Sequence, residues 1–273
     1  MNMTTTTNTS PSPTLLPLIL LTSTLILSVL LFRLLRLTLR LILQDYHAFL
    51  ALGPGGTPST PRGYLQISLL RLFALRNPLI PPRLPAPTSP VPQTGLLSTI
   101  PIPRRHGPRP TVAGIAPHRQ TTQIPPGGMY TALTAAITSL CAKHPSTLYA
   151  GTSCFEKHST GIFCRGGCGG GGGGSKSPRR TCNGEVVHGH PSDGSMHLTL
   201  HPADVRVVLE MGWGERHPLA REKWWLGKRS VPAGFVMVYA PRDGEELAVV
   251  MQVIRAAVWW VSGLELEEYH SSS

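Results

Sequence analysis

The stretch SMHLTLHPADVRVVLEMG (195–212) decides how the C-terminal third of this chain folds. Met196, Leu198 and Leu200 alternate with His197 and Thr199, the period of a strand with one apolar and one polar face. Pro202 stands where a helix begins at no cost, because the first turn needs no amide donor. Val205, Val208 and Leu209 line one side of that helix up to Gly212. Outward along the chain, a polar loop, GWGERHPLAREKWW (212–225), leads to a second strand at 235–239. Asp243 and Glu246 form a capping box, and Leu247, Val250, Met251, Ile254, Val258 and Val261 share a helix face that stops at Gly263. The order β-α-β-α, with both helices on one face of a small sheet, predicts an α+β unit over 185–263.

Five histidines fall in that unit: His188, His190, His197, His201 and His217. On a strand, His188 and His190 face the same way about 6.6 Å apart, close enough to converge on one ion or one substrate, and His197 from a neighbouring strand completes a three-histidine cluster. The competing reading is of surface histidines on a polar sheet face. His197 and His201 lie about 13 Å apart along their strand, too far to share a metal, and Pro202 excludes a helical His-x3-His pair. His217, between Arg216 and Pro218, reads as a hydrogen-bonder that fixes a loop.

Towards the N-terminus the texture changes. Residues 15–32, LLPLILLTSTLILSVLLF, carry no charge, and at 1.5 Å per residue they span roughly 27 Å, close to the hydrocarbon thickness of a bilayer. A polar tail (1–14) without Lys or Arg precedes them, and Arg33, Arg36 and Arg40 follow on one helix face. This pattern predicts a transmembrane helix with a basic flank over 15–43, a single pass through the membrane, with the endoplasmic reticulum as the expected organelle, and a body on the cytosolic side. The five cysteines, Cys141, Cys154, Cys164, Cys168 and Cys182, then sit in a reducing compartment as free thiols.

Residues 44–165 begin with two short apolar segments around a Gly/Pro turn, and 77–126 are so rich in proline that extended chain lying on the rest is expected there. A helical pattern follows at 129–143 and a strand within 149–164. GGCGGGGGGS opens a glycine-rich linker (166–180), and 264–273 form a tail. The linker is no phosphate loop, since Ser175 separates Lys176 from the last glycine and Pro178 follows. Gly-Trp-Gly at 212–214 lacks the strand-turn-helix setting of a dinucleotide fingerprint. Residues 1–180 hold 17 Lys and Arg against two acids, which makes the net +11 a property of the membrane-proximal chain. Lipid headgroups account for it, and with no recognisable module nucleic acid is not an expected partner.

The blocks QDYHAFLALGPGGTPSTPRGY (44–64), RPTVAGIAPHRQ (109–120), GEVVHGHPSDGSMHL (184–198), GWGERHPLA (212–220) and VYAPRDGEELAVV (238–250) resemble, in this order, the fungal luciferase family, which also begins with a membrane helix. The resemblance runs from about 44 to 263 and is most specific over 185–262; the Pro-rich and Gly-rich tracts look like insertions. The luminous members of that family oxidise 3-hydroxyhispidin, a pyrone, with molecular oxygen and without bound flavin or metal, releasing carbon dioxide, an oxidised product and light; the resemblance implies a cofactor-independent oxygenase here. Light emission is not carried over, because a fold-level likeness does not fix a reaction.

An electron-rich hydroxypyrone reacts with oxygen once it is deprotonated, so the site needs a base, a cation for the developing negative charge and a dry apolar wall. The expected base is His188, His190 or His197. Arg216 or Arg242 is expected as the cation, with His217 as a further candidate in the same loops. Trp213, Trp224, Trp225 and Tyr239 are the candidate walls for a planar metabolite. No cofactor beyond oxygen is expected. The rival readings are a hydrolase or lyase with His188, His190 and His197 on a metal, and a non-catalytic binding protein at the membrane.

Overall fold

The structure, a computed structural model, describes residues 15–89, 91–165, 181–222 and 231–266. The chain forms two compact units, Met1–Ala48 and Phe49–Ser273.

The first unit is built on α1 (Leu15–Ala51), a helix of 37 residues that is long and apolar enough to cross a membrane. At 1.5 Å per residue it reaches about 55 Å, so a span of about 30 Å leaves room for Arg33, Arg36 and Arg40 beyond it. Its polar side chains are satisfied within the helix: the Thr22 hydroxyl donates to Leu18 O at 3.1 Å, Ser23 to Ile19 O at 2.7 Å and Ser28 to Thr24 O at 2.8 Å. Such internal bonding lets hydroxyls sit in an apolar solvent.

The second unit begins with α2 (Pro61–Arg71), then a two-stranded ladder of β1 (Val112–Gly114) and β2 (His118–Gln120), then α3 (Met129–Lys143). A six-stranded antiparallel sheet follows, in the order β3-β4-β5-β6-β8-β7. Its strands are β3 (Leu148–Thr152), β4 (Thr160–Cys164), β5 (Glu185–Gly189), β6 (Met196–Thr199), β7 (Gly214–Arg216) and β8 (Phe235–Val238). The helices α4 (Pro202–Glu210) and α5 (Gly244–Ser262) interleave with the last of them. The sheet therefore draws strands from both sides of residues 166–180, with β4 paired to β5. The segment 149–164 supplies a hairpin, β3 and β4, where the sequence suggests one strand. Within the Pro-rich tract the chain is not uniformly extended, because it contains the 3-10 turn Leu96–Ser98 and the β1–β2 ladder.

The alternation read at 195–200 assigns the two faces of the sheet. Met196, Leu198, Leu200, Val236 and Val238 enter one core with Val250, Ile254, Val258 and Trp260 of α5 and Val205 and Val208 of α4. His197 and Thr199 are left on the opposite face. Strand β5 joins this pattern through a bulge: Gly161 faces His188 and Ile162 faces Val187, yet Phe163 faces Glu185. The extra residue, Val186, lets both Val186 and Val187 reach the helix-covered core and puts Glu185 on the side of His188. Gly114, at φ +82°, turns β1 towards β2; a Cβ there would lie 2.2 Å from Pro117 O, so only glycine fits. The cis Ala116–Pro117 bond follows, and β2 then lies over the histidine face.

Caps fix the helices. His201 caps α4 by accepting from Ala203 N–H at 3.1 Å, and Asp243 caps α5 by accepting from Glu246 N–H at 2.8 Å. The buried Asp204 carboxylate accepts from Leu96 N–H at 3.0 Å and Leu97 N–H at 2.8 Å. Burial pushes its pKa up to about 6, against the pull of these two donors. A raised folded-state value means stability that is complete below about pH 4 and lost as pH rises through about 6. The stability of the parent relative to Asp204→Asn is therefore expected to fall between pH 4 and 7, by up to about 3 kcal/mol, and to be flat outside that window when both are unfolded in urea.

Candidate active site

On the face of the sheet away from the helices, five buried histidines meet. His188 on β5 and His197 on β6 are direct cross-strand partners. His190, just past β5, brings Nε2 to 2.9 Å from His197 Nδ1, while His188 Nε2 lies 3.4 Å from the same nitrogen. His118 arrives from β2 with Nδ1 3.0 Å from His197 Nε2. His217, after β7, stands edge-on to both His118 and His197, with ring centroids 5.1 and 5.3 Å away. All five are at most 4% exposed.

The partners of these rings assign their protons. His188 Nδ1 lies 2.6 Å from a Glu185 carboxylate oxygen, so it donates, and Nε2 carries a lone pair. The Ser195 hydroxyl donates to Asp193 at 2.9 Å and accepts from His190 Nδ1 at 2.9 Å, so His190 Nε2 is also a lone pair. His197 Nδ1 therefore donates towards His190, and His197 Nε2 accepts from His118 Nδ1. His217 donates from Nε2 to Ile115 O at 2.9 Å and accepts at Nδ1 from Leu219 N–H at 3.1 Å. That ring fixes the loop after β7 with both of its nitrogens.

Burial keeps four of the rings, His118, His190, His197 and His217, uncharged. It holds His118 and His197 well below the usual histidine range, with neighbouring imidazoles adding to the effect. Burial likewise lowers His190 to about 3 and His217 to about 4, although Asp193 and Ile115 O respectively pull the other way. Burial alone would raise Asp193, but bonds from His190 and Ser195 outweigh it and lower the carboxyl.

His118, His188, His197 and His217 line a pocket of about 230 Å³ whose flat apolar surface comes from Phe155 and Phe235. The Phe235 ring stacks on His197 at 5.0 Å between centroids and meets Phe155 at 4.8 Å. Glu156 and Lys157 also line it. Glu156 pairs with Arg119, whose guanidinium also donates to His118 O at 3.2 Å and to Pro54 O at 2.6 Å. Burial raises the Glu156 carboxyl, and Arg119 opposes that shift.

The other candidates from the sequence lie elsewhere. The Arg216 guanidinium donates to Ile80 O at 3.1 Å and to Ala220 O, behind the histidine face. Arg242 pairs with Glu246 in the first turn of α5. Trp213 is core, its indole N–H donating to Pro103 O at 2.7 Å. Tyr239 donates to Glu215 at 3.0 Å, and Glu215 lies 3.8 Å from His118 Nε2, so Tyr239 touches the cluster only through a carboxylate. His201, at the α4 N-cap, faces Trp260 of the core. Trp224, Trp225, Cys168 and the glycine-rich linker lie outside the described residues; Cys141, Cys154, Cys164 and Cys182 are free thiols.

Sequence reasoning missed His118, Glu185, Asp193, Ser195, Phe155 and Phe235. Two signals were available: His118 follows a proline inside the conspicuous block 109–120, and carboxylates sit three residues from His188 and His190 on either side.

The Luciferase domain family model matches residues 183–257. Similar curated proteins include luciferases of Armillaria ostoyae (31% identical over 229 residues) and Armillaria gallica (32% over 229 residues); each alignment covers 81% of this chain and 82% of the relative. A luciferase of Neonothopanus nambi is 30% identical over 230 residues, with the same coverage. No solved structure matches.

Proposed function

This chain belongs to the fungal luciferase family, and from that premise we propose that it is a membrane-anchored oxygenase acting on a hydroxypyrone or phenolic metabolite, with molecular oxygen as co-substrate. Light emission is no part of the proposal. The observation that carries it is the pocket itself: imidazoles on one wall, phenylalanine rings beside them, and about 230 Å³ of space.

A hydroxypyrone becomes reactive towards oxygen when its hydroxyl is ionised. The anion gives one electron to oxygen, and the two radicals join as a carbon-bound peroxide. His188 Nε2 is the nitrogen best set for that ionisation, since Glu185 fixes its tautomer and its ring lines the pocket. The proton either moves to this lone pair or is displaced by a cation bound there. Phe155 and Phe235 exclude water from the anion, and Lys157, which lines the pocket and donates to Gly56 O at 3.0 Å, supplies the positive charge for the developing anion. Oxygen uptake with carbon dioxide release on adding hydroxypyrones to the purified chain tests the reading. Folded protein that consumes no oxygen with any hydroxypyrone or catechol-type phenol refutes it.

The proposed anchor is α1; the basic face at Arg33, Arg36 and Arg40 supports a cytosolic body by the positive-inside rule, and the membrane proposed is that of the endoplasmic reticulum. Protease added outside intact microsomes is expected to digest the body. A protected body, or glycans on introduced C-terminal acceptor sites, reverses the orientation.

A further inference from the structure

We infer that His188 Nε2, His190 Nε2 and His197 Nδ1 hold a first-row transition metal ion. The three nitrogens lie within 4.8 Å of one another, two of the separations being 2.9 and 3.4 Å. Three imidazoles sharing one ion bring their ligating nitrogens about as close, since each metal–nitrogen bond is about 2.0–2.1 Å. A general base needs one imidazole; three whose nitrogens converge exceed that need. The tautomers above leave a single proton, on His197 Nδ1, to serve two facing lone pairs, those of His190 and His188.

The surroundings of the three rings carry the argument further. A metal-bound histidine characteristically donates its second nitrogen to an acceptor that fixes the ring and raises its basicity. Two of the second nitrogens already have one, Glu185 for His188 and the Ser195–Asp193 pair for His190, while His197 Nε2 faces His118 Nδ1 at 3.0 Å. Binding requires His197 to carry its proton on Nε2, donating to His118 Nδ1. His118 then carries its own on Nε2, which faces Glu215 at 3.8 Å. The exchange moves protons within His197 and His118 without adding one to either ring, and the Glu185 and Asp193 carboxylates offset the charge of a divalent ion. The alternative trio of His118, His197 and His217 is poorer, because ligation would strip His217 of a backbone bond.

Three neutral imidazoles favour zinc, iron, copper, cobalt or nickel over magnesium or calcium. His188 and His197 line the pocket and His190 does not, so the ion lies behind the wall with the pocket as its open side. A bound cation there supplies the second route to the substrate anion, and in its use, though not its existence, this inference rests on the oxygenase reading.

The test uses the full chain in detergent, purified without chelator and without a polyhistidine tag. Cobalt(II) titration is expected to saturate at one ion per chain with the visible absorption of a nitrogen-ligated site, and zinc(II) is expected to displace it. Pulsed electron paramagnetic resonance of the copper(II) form is expected to show coupled imidazole nitrogens. His190→Gln is expected to weaken binding at least ~10²-fold and Asp193→Asn ~10- to 100-fold, with the exposed His106→Gln unchanged. The spectra of the parent protein decide the matter even if a variant fails to fold. No saturable binding, or saturable binding without imidazole coupling, overturns the inference and leaves His188 as a simple base. An ion bound as described in a chain that consumes no oxygen upholds the site and refutes the substrate reading instead.

Discussion

Single His→Gln substitutions at His188, His190 and His197 are expected to lower turnover ~10²- to 10⁴-fold, the range set by losing an activating group. His188 should sit at the severe end, because its ring lines the pocket and Glu185 holds it at 2.6 Å. Glutamine retains bulk and a polar end, so the loss reports the imidazole rather than a cavity. His201→Gln serves as contrast. That ring caps α4 and packs on Trp260, so its replacement is expected to lower stability by about 1 kcal/mol while leaving turnover within a few-fold. Turnover and thermal stability must be measured on the same preparations, because a folding defect otherwise passes for a catalytic one. Equal activity of the parent and all three variants on an accepted substrate removes the histidine centre, and with it the reason for the pocket.

What the sequence made legible follows from periodicity. Met196, Leu198 and Leu200 against His197 and Thr199 assigned a strand and its faces correctly, since alternation survives any packing. The Asp243–Glu246 cap and the Gly263 stop bounded α5 for the same local reason. The cross-strand meeting of His188 with His197 was within reach because both stand on neighbouring strands of one sheet. His118 was not, since 70 residues separate it from His188 and only the cis Ala116–Pro117 turn and the β1–β2 ladder lay it over the sheet. Glu185 was hidden by the bulge at Val186, because strict alternation puts residues three apart on opposite faces. The cationic candidates Arg216 and Arg242 were chosen by residue type within conspicuous blocks. The backbone carbonyls that hold Arg216 depend on tertiary contacts that no spacing reveals, whereas Arg242 stands four residues before Glu246, a local ion-pair spacing that the sequence did offer.

Breaking the buried Arg119–Glu156 pair is expected to cost more stability than any other polar change at the pocket. Arg119 is 3% exposed and Glu156 5%, and the guanidinium ties β2 to the loop before β4 and to Pro54 O. Arg119→Met preserves much of the apolar stem but strands the Glu156 carboxylate in a site where burial already raises its pKa. Removing one partner of such a pair costs about 3–5 kcal/mol, because the remaining charge has lost both water and counter-ion. Adding Glu156→Leu to Arg119→Met removes that stranded charge and is expected to recover most of the loss. Urea unfolding of the parent, the two single variants and the double variant gives the coupling directly. Since β2 carries His118 onto His197, Arg119→Met is also expected to loosen the histidine cluster, and turnover should recover with stability in the double variant. A double variant as unstable as Arg119→Met alone would instead make the backbone bonds to His118 O and Pro54 O, and not the ion pair, the reason this arginine is buried.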